Sequence, residues 1–153
     1  MNAIIRQASA HDADAIAPLF DAYRQFYQQA PALDAARAFI RARLEQRESV
    51  IFVAEEQGAM LGFCQLYPSF CSVEAAPIFT LYDLFVTPAA RQSGAGRQLM
   101  LAAESYARGT GAVRLDLTTA KDNLRAQSVY EALDWVRDEV FHTYNKALTA
   151  VPV

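Results

Sequence analysis

Two closely spaced glycines follow a hydrophobic run in the segment LYDLFVTPAARQSGAG, residues 81–96. The run itself consists mainly of strand-forming residues, and Pro88 ends it by fixing φ and lacking an N–H. Gly94 and Gly96 allow a tight turn and a close backbone approach to a ligand, and the first N–H groups of a following helix have no partner within that helix. Such a strand, loop and helix can bind an anion through the backbone, so a phosphate or pyrophosphate is the expected ligand.

The residues around the second glycine narrow the kind of phosphate ligand. A Walker A loop places Lys and then Ser or Thr after its last glycine, but Arg97 and Gln98 follow Gly96 here, so no side chain is placed for magnesium. A dinucleotide loop has another small residue three positions after Gly96, where this chain has Leu99. The Walker A and the usual dinucleotide interpretations are therefore both disfavoured.

Two motifs in this chain resemble those of the GNAT superfamily of N-acetyltransferases. Arg91, Gly94 and Gly96 form RxxGxG between a hydrophobic strand and an amphipathic helix, which resembles motif A, where the family binds the pyrophosphate of acetyl-CoA. Further along, DNLRAQSVYEALDW resembles the motif B helix, and the matching positions are Asn123, Ala126, Tyr130 and Leu133. The chain departs from the family pattern at Asp134 and Trp135, where Gly and then Phe are common.

The resemblance implies acetyl-CoA as co-substrate and indicates which residues would contact it. The backbone of Phe85, Val86 and Thr87 would pair with the pantetheine arm as an added strand. A backbone N–H near residues 84–86 would stabilise the oxyanion of the reaction. The remaining CoA contacts implied by the resemblance are Arg91, Gln92, Ser93, Gly94, Ala95, Gly96, Arg97, Asn123, Ala126 and Tyr130.

Amine acylation needs two proton transfers, and two side chains are predicted to carry them. The attacking amine must lose a proton, since a free alkylamine with a pKa near about 10 is mostly protonated at pH 7. The candidate base is Asp83, acting through a water, although a strand carboxylate can instead bond a neighbouring backbone group. Tyr82 would lie on the opposite face unless a bulge intervenes. The resemblance assigns Tyr130 to the leaving thiolate, whereas the pattern alone would make it a core aromatic.

Aromatic side chains on the first helices and a central strand are predicted to line the acceptor site. They are Tyr23, Phe26, Tyr27, Tyr67, Phe70 and Tyr82. Aromatic faces attract cations such as an ammonium group, but the same spacing also suits a helix packed into a core. Glu74 and Asp83 are the acids expected near this slot. The chain resembles small family members that acetylate free amines such as polyamines or amino acids, or protein lysines, and it does not select among them.

Hydrophobic periodicity and turn residues place these side chains on alternating elements. The predicted strands are 3–8, 50–55, 60–70, a strand from Leu81, 113–118 and 140–146. The predicted helices are one that carries Ile16, Leu19, Phe20, Tyr23, Phe26 and Tyr27 and ends before Pro31, then 34–46, 96–108 and one from Asn123. Together with the resemblance, this order predicts an α/β fold whose mixed sheet is mostly antiparallel, with a splayed parallel strand pair and flanking helices.

Composition sets the outer bounds of the prediction. A length of 153 residues with 53% hydrophobic content suits a single domain over residues 1–149, with a frayed tail at 150–153. The net charge of −3 disfavours a nucleic-acid partner. The absence of a targeting pattern or long apolar run favours a cytoplasmic protein without a membrane partner. Cys64 and Cys71 lack the spacing of a metal site or a disulfide framework, so no metal is expected.

Three classes of function stay open at this point. The leading one is an acetyl-CoA-dependent N-acetyltransferase. A non-catalytic acyl-CoA-binding regulatory module would keep motif A without turnover, and a nucleotide-binding protein would use the same loop for another phosphate. Family members often dimerise, so a homodimer is also left open, with no interface indicated by the pattern.

Overall fold

A computed structural model describes residues 2–149 of the chain. The chain divides into two compact units, Met1–Thr118 and Thr119–Val153. In chain order the elements are β1 (Ile4–Gln7), a 3₁₀ turn (Ala10–Asp12), α1 (Ala13–Phe26), α2 (Leu33–Glu45), β2 (Val50–Glu56), β3 (Ala59–Cys71), β4 (Ala76–Val86), a second 3₁₀ turn (Pro88–Ala90), α3 (Ala95–Gly109), β5 (Leu115–Asp116) and α4 (Leu124–Ala132). Among the helices and strands of residues 2–149, α4 alone belongs to the second unit. The predicted single domain stays a prediction.

The strands form one sheet in the order β1-β2-β3-β4-β5. The first four are antiparallel neighbours, while β4 and β5 are parallel. Gln57 and Gly58 join β2 to β3 with φ values of 51° and 81°, as a tight two-residue hairpin turn of type I′ requires. The mixed, mostly antiparallel sheet with flanking helices confirms the predicted fold class.

Helices cover both faces of the sheet in the first unit. On one face α1 and α2 bury a cluster in which Ile16 and Ile40 pack with Val53 and Phe63 of the strands. On the other face lies α3, where the thiol of Cys64 is 3.7 Å from the carbonyl oxygen of Leu99. Alternation along β3 thus sends odd-numbered side chains such as Phe63 toward α1 and even-numbered ones such as Cys64 toward α3.

The last strand of the sheet is shorter than predicted. The alternating run 113–118 predicts a strand, but β5 comprises Leu115–Asp116 and pairs only with Phe79 and Thr80 of β4. The Val113 N–H donates to the carbonyl oxygen of Pro77 at 3.0 Å, so the approach to β5 still follows β4. The two strands separate after Thr80, as the predicted splay requires.

The predicted closing strand 140–146 is wrong within the described residues. No strand follows α4 up to residue 149. The Asp138 carboxylate accepts the N–H groups of Val140 at 3.0 Å and Phe141 at 3.2 Å, which gives this backbone a local turn in place of a strand partner. The predicted tail at 150–153 lies outside the described residues.

Candidate active site

The edge of β4 beyond Thr80 is the first component of the candidate site. Within residues 2–149, no strand other than β3 pairs with β4 beyond Thr80. The Thr87 N–H donates to the carbonyl oxygen of Leu61, on the β3 side, at 2.8 Å. Because successive N–H groups of a strand point to opposite edges, those of Leu84 and Val86 point away from β3. Backbone donors are therefore presented where the predicted acyl-CoA contacts begin.

The loop after β4 presents more backbone donors at the start of α3. Gly94 is the N-cap of α3 with a φ of 92°, a left-handed conformation that favours glycine. Gln92 is also left-handed, with a φ of 67°. The Gln98 N–H bonds the Gly94 carbonyl oxygen at 3.0 Å, while the first-turn N–H groups of Gly96 and Arg97 precede any intrahelical acceptor. With no acidic side chain in that turn, this end of α3 suits an anion.

Arg91 and Ser93 shape this loop from within. Arg91 donates through Nε to the carbonyl oxygen of Val86 at 2.9 Å, and its guanidinium lies 5.5 Å from the centre of the Phe85 ring. Ser93 donates through its hydroxyl to the carbonyl oxygen of Ala90. Arg91 thus links the loop to the end of β4 through a hydrogen bond. Its positively charged guanidinium lies in the loop predicted to bind the pyrophosphate.

A bulge in β4 decides which way the candidate base points. Gln65 is opposite Asp83, but the next residue, Leu66, is opposite Leu81, so Tyr82 is the extra residue. Asp83 is therefore directed to the α1 side of the sheet, where it is 4% exposed. Its carboxylate Oδ2 accepts the Gln65 amide Nε2 at 2.6 Å. The carboxylate that sequence reasoning singled out lies buried in the sheet and holds a specific donor.

Three tyrosines surround this carboxylate. The Tyr23 hydroxyl of α1 donates to the carbonyl oxygen of Tyr82 at 3.2 Å, and the rings of Tyr67 and Tyr82 are 5.4 Å apart. Burial, followed by the negative charge of Asp83, raises the pKa of Tyr67 to about 12 and also raises the pKa of Tyr23. Burial raises the pKa of Asp83 itself, and the hydrogen bond from Gln65 opposes that rise.

The other predicted acceptor residues fall into two groups. Tyr27 packs edge-on against Tyr23 with ring centres 5.1 Å apart, and Phe26 packs against Tyr27 at 5.2 Å. Both Phe26 and Tyr27 keep about half of their surface exposed at the end of α1. Phe70 is three residues beyond Tyr67 on β3 and therefore points to the opposite face. The structure brings Tyr23, Phe26 and Tyr27 together but places Phe70 apart.

The motif B residues are described within the second unit. The Asn123 side-chain oxygen accepts the Ala126 N–H at 3.2 Å and caps α4, a use that leaves its amide nitrogen outside the cap. Ala126 and Tyr130 are half-buried. The ring of Tyr130 lies 6.2 Å from that of Trp135, whose backbone N–H donates to the Tyr130 carbonyl oxygen at 3.0 Å.

Sequence reasoning missed three residues that shape the site in the first unit. Gln65 interrupts an otherwise apolar strand, and this polar residue in LGFCQLY is the signal that could have found it. Ser49 donates to the Gln65 side-chain oxygen at 2.7 Å. Gly62 lies so close to β4 that an added Cβ would be 2.8 Å from the carbonyl oxygen of Phe85. No local sequence pattern announces that close approach.

Three other observations bear on ligands and surroundings. The predicted acid Glu74 is paired with Arg114 at 3.4 Å. Across residues 2–149, no group of three or more His, Cys, Asp and Glu side chains is arranged to hold a metal ion. In the same residues no helix is both long enough and apolar enough to cross a bilayer.

Comparisons with known proteins point in one direction. The model of the acetyltransferase (GNAT) family matches residues 14–135, which include both motifs. The chain is 52% identical over 140 residues to YhfO of Bacillus subtilis (strain 168), named as an uncharacterized N-acetyltransferase, with 92% of this chain and 94% of that protein covered.

Solved structures are similar over nearly the whole chain. A crystal structure of "a probable acetyltransferase" is 38% identical with a TM-score of 0.89, and the match covers 95% of this chain and 98% of the other. The aminoglycoside N-acetyltransferase AAC(6')-Iy, solved in complex with CoA, is 23% identical with a TM-score of 0.80 and 95% of each chain covered. At that identity the likeness is one of fold.

Proposed function

The chain belongs to the GNAT family of acetyltransferases, and on that premise we propose that it transfers the acetyl group of acetyl-CoA to a primary amine. The acceptor is a small molecule such as a polyamine or an amino acid, or an amine of a peptide, and it attacks directly in a ternary complex. The observation that carries this proposal is the buried Asp83 carboxylate beside the unpaired edge of β4.

The donor side of the proposal uses backbone groups. Acetyl-CoA supplies an activated acetyl group as a thioester. The outward edge of β4 at Val86, within the predicted segment Phe85, Val86 and Thr87, would hold the pantetheine arm, and the N–H groups of Leu84 and Val86 would face the thioester oxygen as it gains negative charge. The first turn of α3, from Gly94 to Arg97, would hold the pyrophosphate. Its left-handed N-cap and lack of acidic residues support this assignment.

The acceptor side uses Asp83 as the base. A carboxylate with a raised pKa is a better proton acceptor than an exposed one, and Asp83 is buried among aromatic rings that favour a cation. Asp83 would take one proton from the bound ammonium, through a water. The neutral amine then attacks the thioester carbon, a C–N bond forms, and the C–S bond breaks.

The remaining role in the proposed reaction is to supply a proton to the departing thiolate. The amide product has lost a second proton from its nitrogen, and the departing thiolate gains one, so the net release is one proton. Tyr130 is proposed to donate to, or stabilise, that thiolate. Support for this role comes from the motif B resemblance and not from a measured distance.

A thiol-release assay with a panel of amines tests the proposed function. The panel comprises a polyamine, amino acids, a lysine peptide and an aminoglycoside, the last because a protein of the same fold is named for that substrate. We expect release with at least one amine, and a loss of about 100-fold or more in kcat/KM for Asp83→Asn. Asp14→Asn, at an exposed ion pair with Arg41, is the matched control. Binding of acetyl-CoA without any turnover would contradict transfer and favour the acyl-CoA-binding module.

A further inference from the structure

A chain of buried polar side chains leads from Asp83 into the sheet. Gln65 Nε2 is 2.6 Å from Asp83 Oδ2, and Ser49 Oγ is 2.7 Å from Gln65 Oε1. Gln65 is fully buried, and Ser49 is 8% exposed. Ser49 directly precedes β2, Gln65 lies in the middle of β3, and Asp83 lies in the second half of β4, so the hydrogen bonds link three neighbouring parts of the sheet.

The direction of these hydrogen bonds suits an ionised Asp83, because a donor faces the carboxylate oxygen Oδ2. A carboxylate accepts hydrogen bonds and cannot donate, so the group facing it must be the Gln65 amide nitrogen and not the amide oxygen. The Ser49 hydroxyl donates to that amide oxygen and so holds the amide in this orientation. If the amide were reversed, its oxygen would face Asp83 Oδ2, which would be tolerated only with a proton on the carboxyl.

We propose that Gln65, held by Ser49, is a positioning residue that keeps the Asp83 carboxylate fixed and ionised for the acceptor amine. This inference rests on the proposed function, because it assigns Asp83 the task of accepting a proton. Neither Gln65 nor Ser49 touches a reacting atom in this account. Ser49 acts on Gln65, and Gln65 acts on the Asp83 carboxylate.

Burying a polar side chain at position 65 lowers the stability of the fold unless the side chain forms hydrogen bonds. Burial of an amide among apolar neighbours is unfavourable without full hydrogen bonding, and a hydrophobic residue of similar volume fills such a place at least as well. On β3, Gln65 is flanked by Cys64 and Leu66, both fully buried. The charge of Asp83 explains the exception, because the amide supplies a donor that an apolar residue could not.

The other ionisable groups around Asp83 leave it as the group that titrates on the acid side. Tyr23 of α1 and Tyr67 of β3 face it, and burial raises the pKa of both. Burial also raises the pKa of the Cys64 thiol on the same strand. Tyr82 lies beside Tyr67, whose hydroxyl in turn feels Arg43 of α2 and the neighbouring Glu48. Tyr23, Tyr67 and the Cys64 thiol therefore stay neutral while Asp83 changes its charge.

The pH profile of kcat/KM tests this inference with four variants. Gln65→Met removes the donor at similar volume, and we expect the acid limb to move up by about one pH unit. Ser49→Ala should shift the limb in the same direction by less, and Ser49→Thr, which restores a hydroxyl, should return it. Cys64→Ala, on the same strand but facing α3, is the control and should leave the limb in place.

A second measurement separates failure of this inference from failure of the proposed function. The Asp83 carboxyl is titrated by NMR in the wild-type protein and in Gln65→Met, without any substrate. A higher pKa in the variant, together with the shifted limb, supports the positioning role. An unchanged carboxyl titration and an unchanged limb in a folded variant would overturn it. A raised carboxyl pKa with no turnover on any amine would instead contradict the proposed function and, with it, the catalytic purpose of the contact.

Discussion

At the scale of single residues, Asp83 has two properties with opposite consequences. Its burial makes it a stronger base, and the same burial disfavours its charged form in the folded protein. In the proposed mechanism the carboxylate is nevertheless ionised, with Gln65 as its donor. Residues of this kind commonly cost stability in return for activity.

The raised pKa of Asp83 predicts how stability depends on pH. A group whose pKa is higher in the folded state favours folding below its unfolded pKa, and this contribution is lost as the pH rises through the folded pKa. Asp83→Asn removes the charge but keeps an acceptor for Gln65. We expect the variant to have a higher Tm than the wild type at pH 7 to 8, with the difference shrinking as the pH falls. Parallel thermal melts across pH check this, and a Tm difference that grows toward low pH would contradict it.

Tyr130 is predicted to act on the leaving thiolate and not on CoA affinity. Tyr130→Phe removes one hydroxyl and should lower turnover by about tenfold or more, with the Kd for acetyl-CoA nearly unchanged. Tyr144→Phe, at a tyrosine that is 90% exposed in the same unit, is the control. Unchanged turnover in Tyr130→Phe, with chemistry shown to be rate-limiting, would remove Tyr130 from this role.

At the scale of elements, the left-handed N-cap of α3 is the feature on which the proposed CoA binding depends. A β-branched residue at Gly94 would be strained at a φ of 92°, by about 1–2 kcal/mol, and the loop would relax away from the conformation that presents its N–H groups. Gly94→Val should weaken acetyl-CoA binding by about tenfold or more. Gly109→Val, in the last turn of the same helix with open space around it, is the matched control. Equal affinity in both variants would refute the assignment of the loop.

The contact between β3 and β4 at Gly62 predicts a second effect on the same binding edge. A methyl group there would be 2.8 Å from the carbonyl oxygen of Phe85, so Gly62→Ala must push β4 aside. We expect a loss of about 1–3 kcal/mol in the free energy of unfolding, from overpacking. Acetyl-CoA affinity should fall as well, because the displaced strand carries Phe85 and Val86. Denaturant unfolding measures the first effect, and a stability equal to that of Gly109→Ala would show that the strands are not in close contact.

The bulge at Tyr82 could not be predicted from the sequence. LYDLFV alternates poorly and suits a regular strand as well as a bulged one. The choice depends on the register of β3 against β4, which is set by packing across the sheet and by Gly62. The position of Asp83 on the strand made it the candidate base. Its pairing with Gln65 could not be predicted, because it depends on that register.

At the scale of the whole molecule, hydrophobic periodicity predicted the elements of the first unit well. The helices α1, α2 and α3 and the strands β1 to β4 follow patterns that the core dictates, so their existence could be predicted. Their ends were less accurate, because β4 begins at Ala76 and not at the predicted Leu81. The segment 140–146 shows the limit of the method. The order of elements predicts a closing strand here, but a strand needs a partner strand, and the Asp138 carboxylate accepts the N–H groups of Val140 and Phe141 instead.

The sequence indicates the donor site of the proposed reaction more directly than the acceptor site. The donor depends on backbone geometry with glycine and arginine at fixed spacing, and such spacing survives in a sequence. The acceptor depends on which aromatic side chains meet in space. Tyr67 and Phe70 looked equivalent on one strand, and alternation separates them onto opposite faces.

The central claim is that the edge of β4 and the first turn of α3 form an acyl-CoA site. Titration calorimetry tests this claim most directly. The full chain is titrated with acetyl-CoA, ATP and NAD under one buffer condition and without added amine. We predict saturable binding of acetyl-CoA, weakened by Gly94→Val, and no comparable binding of ATP or NAD. Binding of ATP with no binding of acetyl-CoA would contradict the proposed donor and, with it, the proposed function.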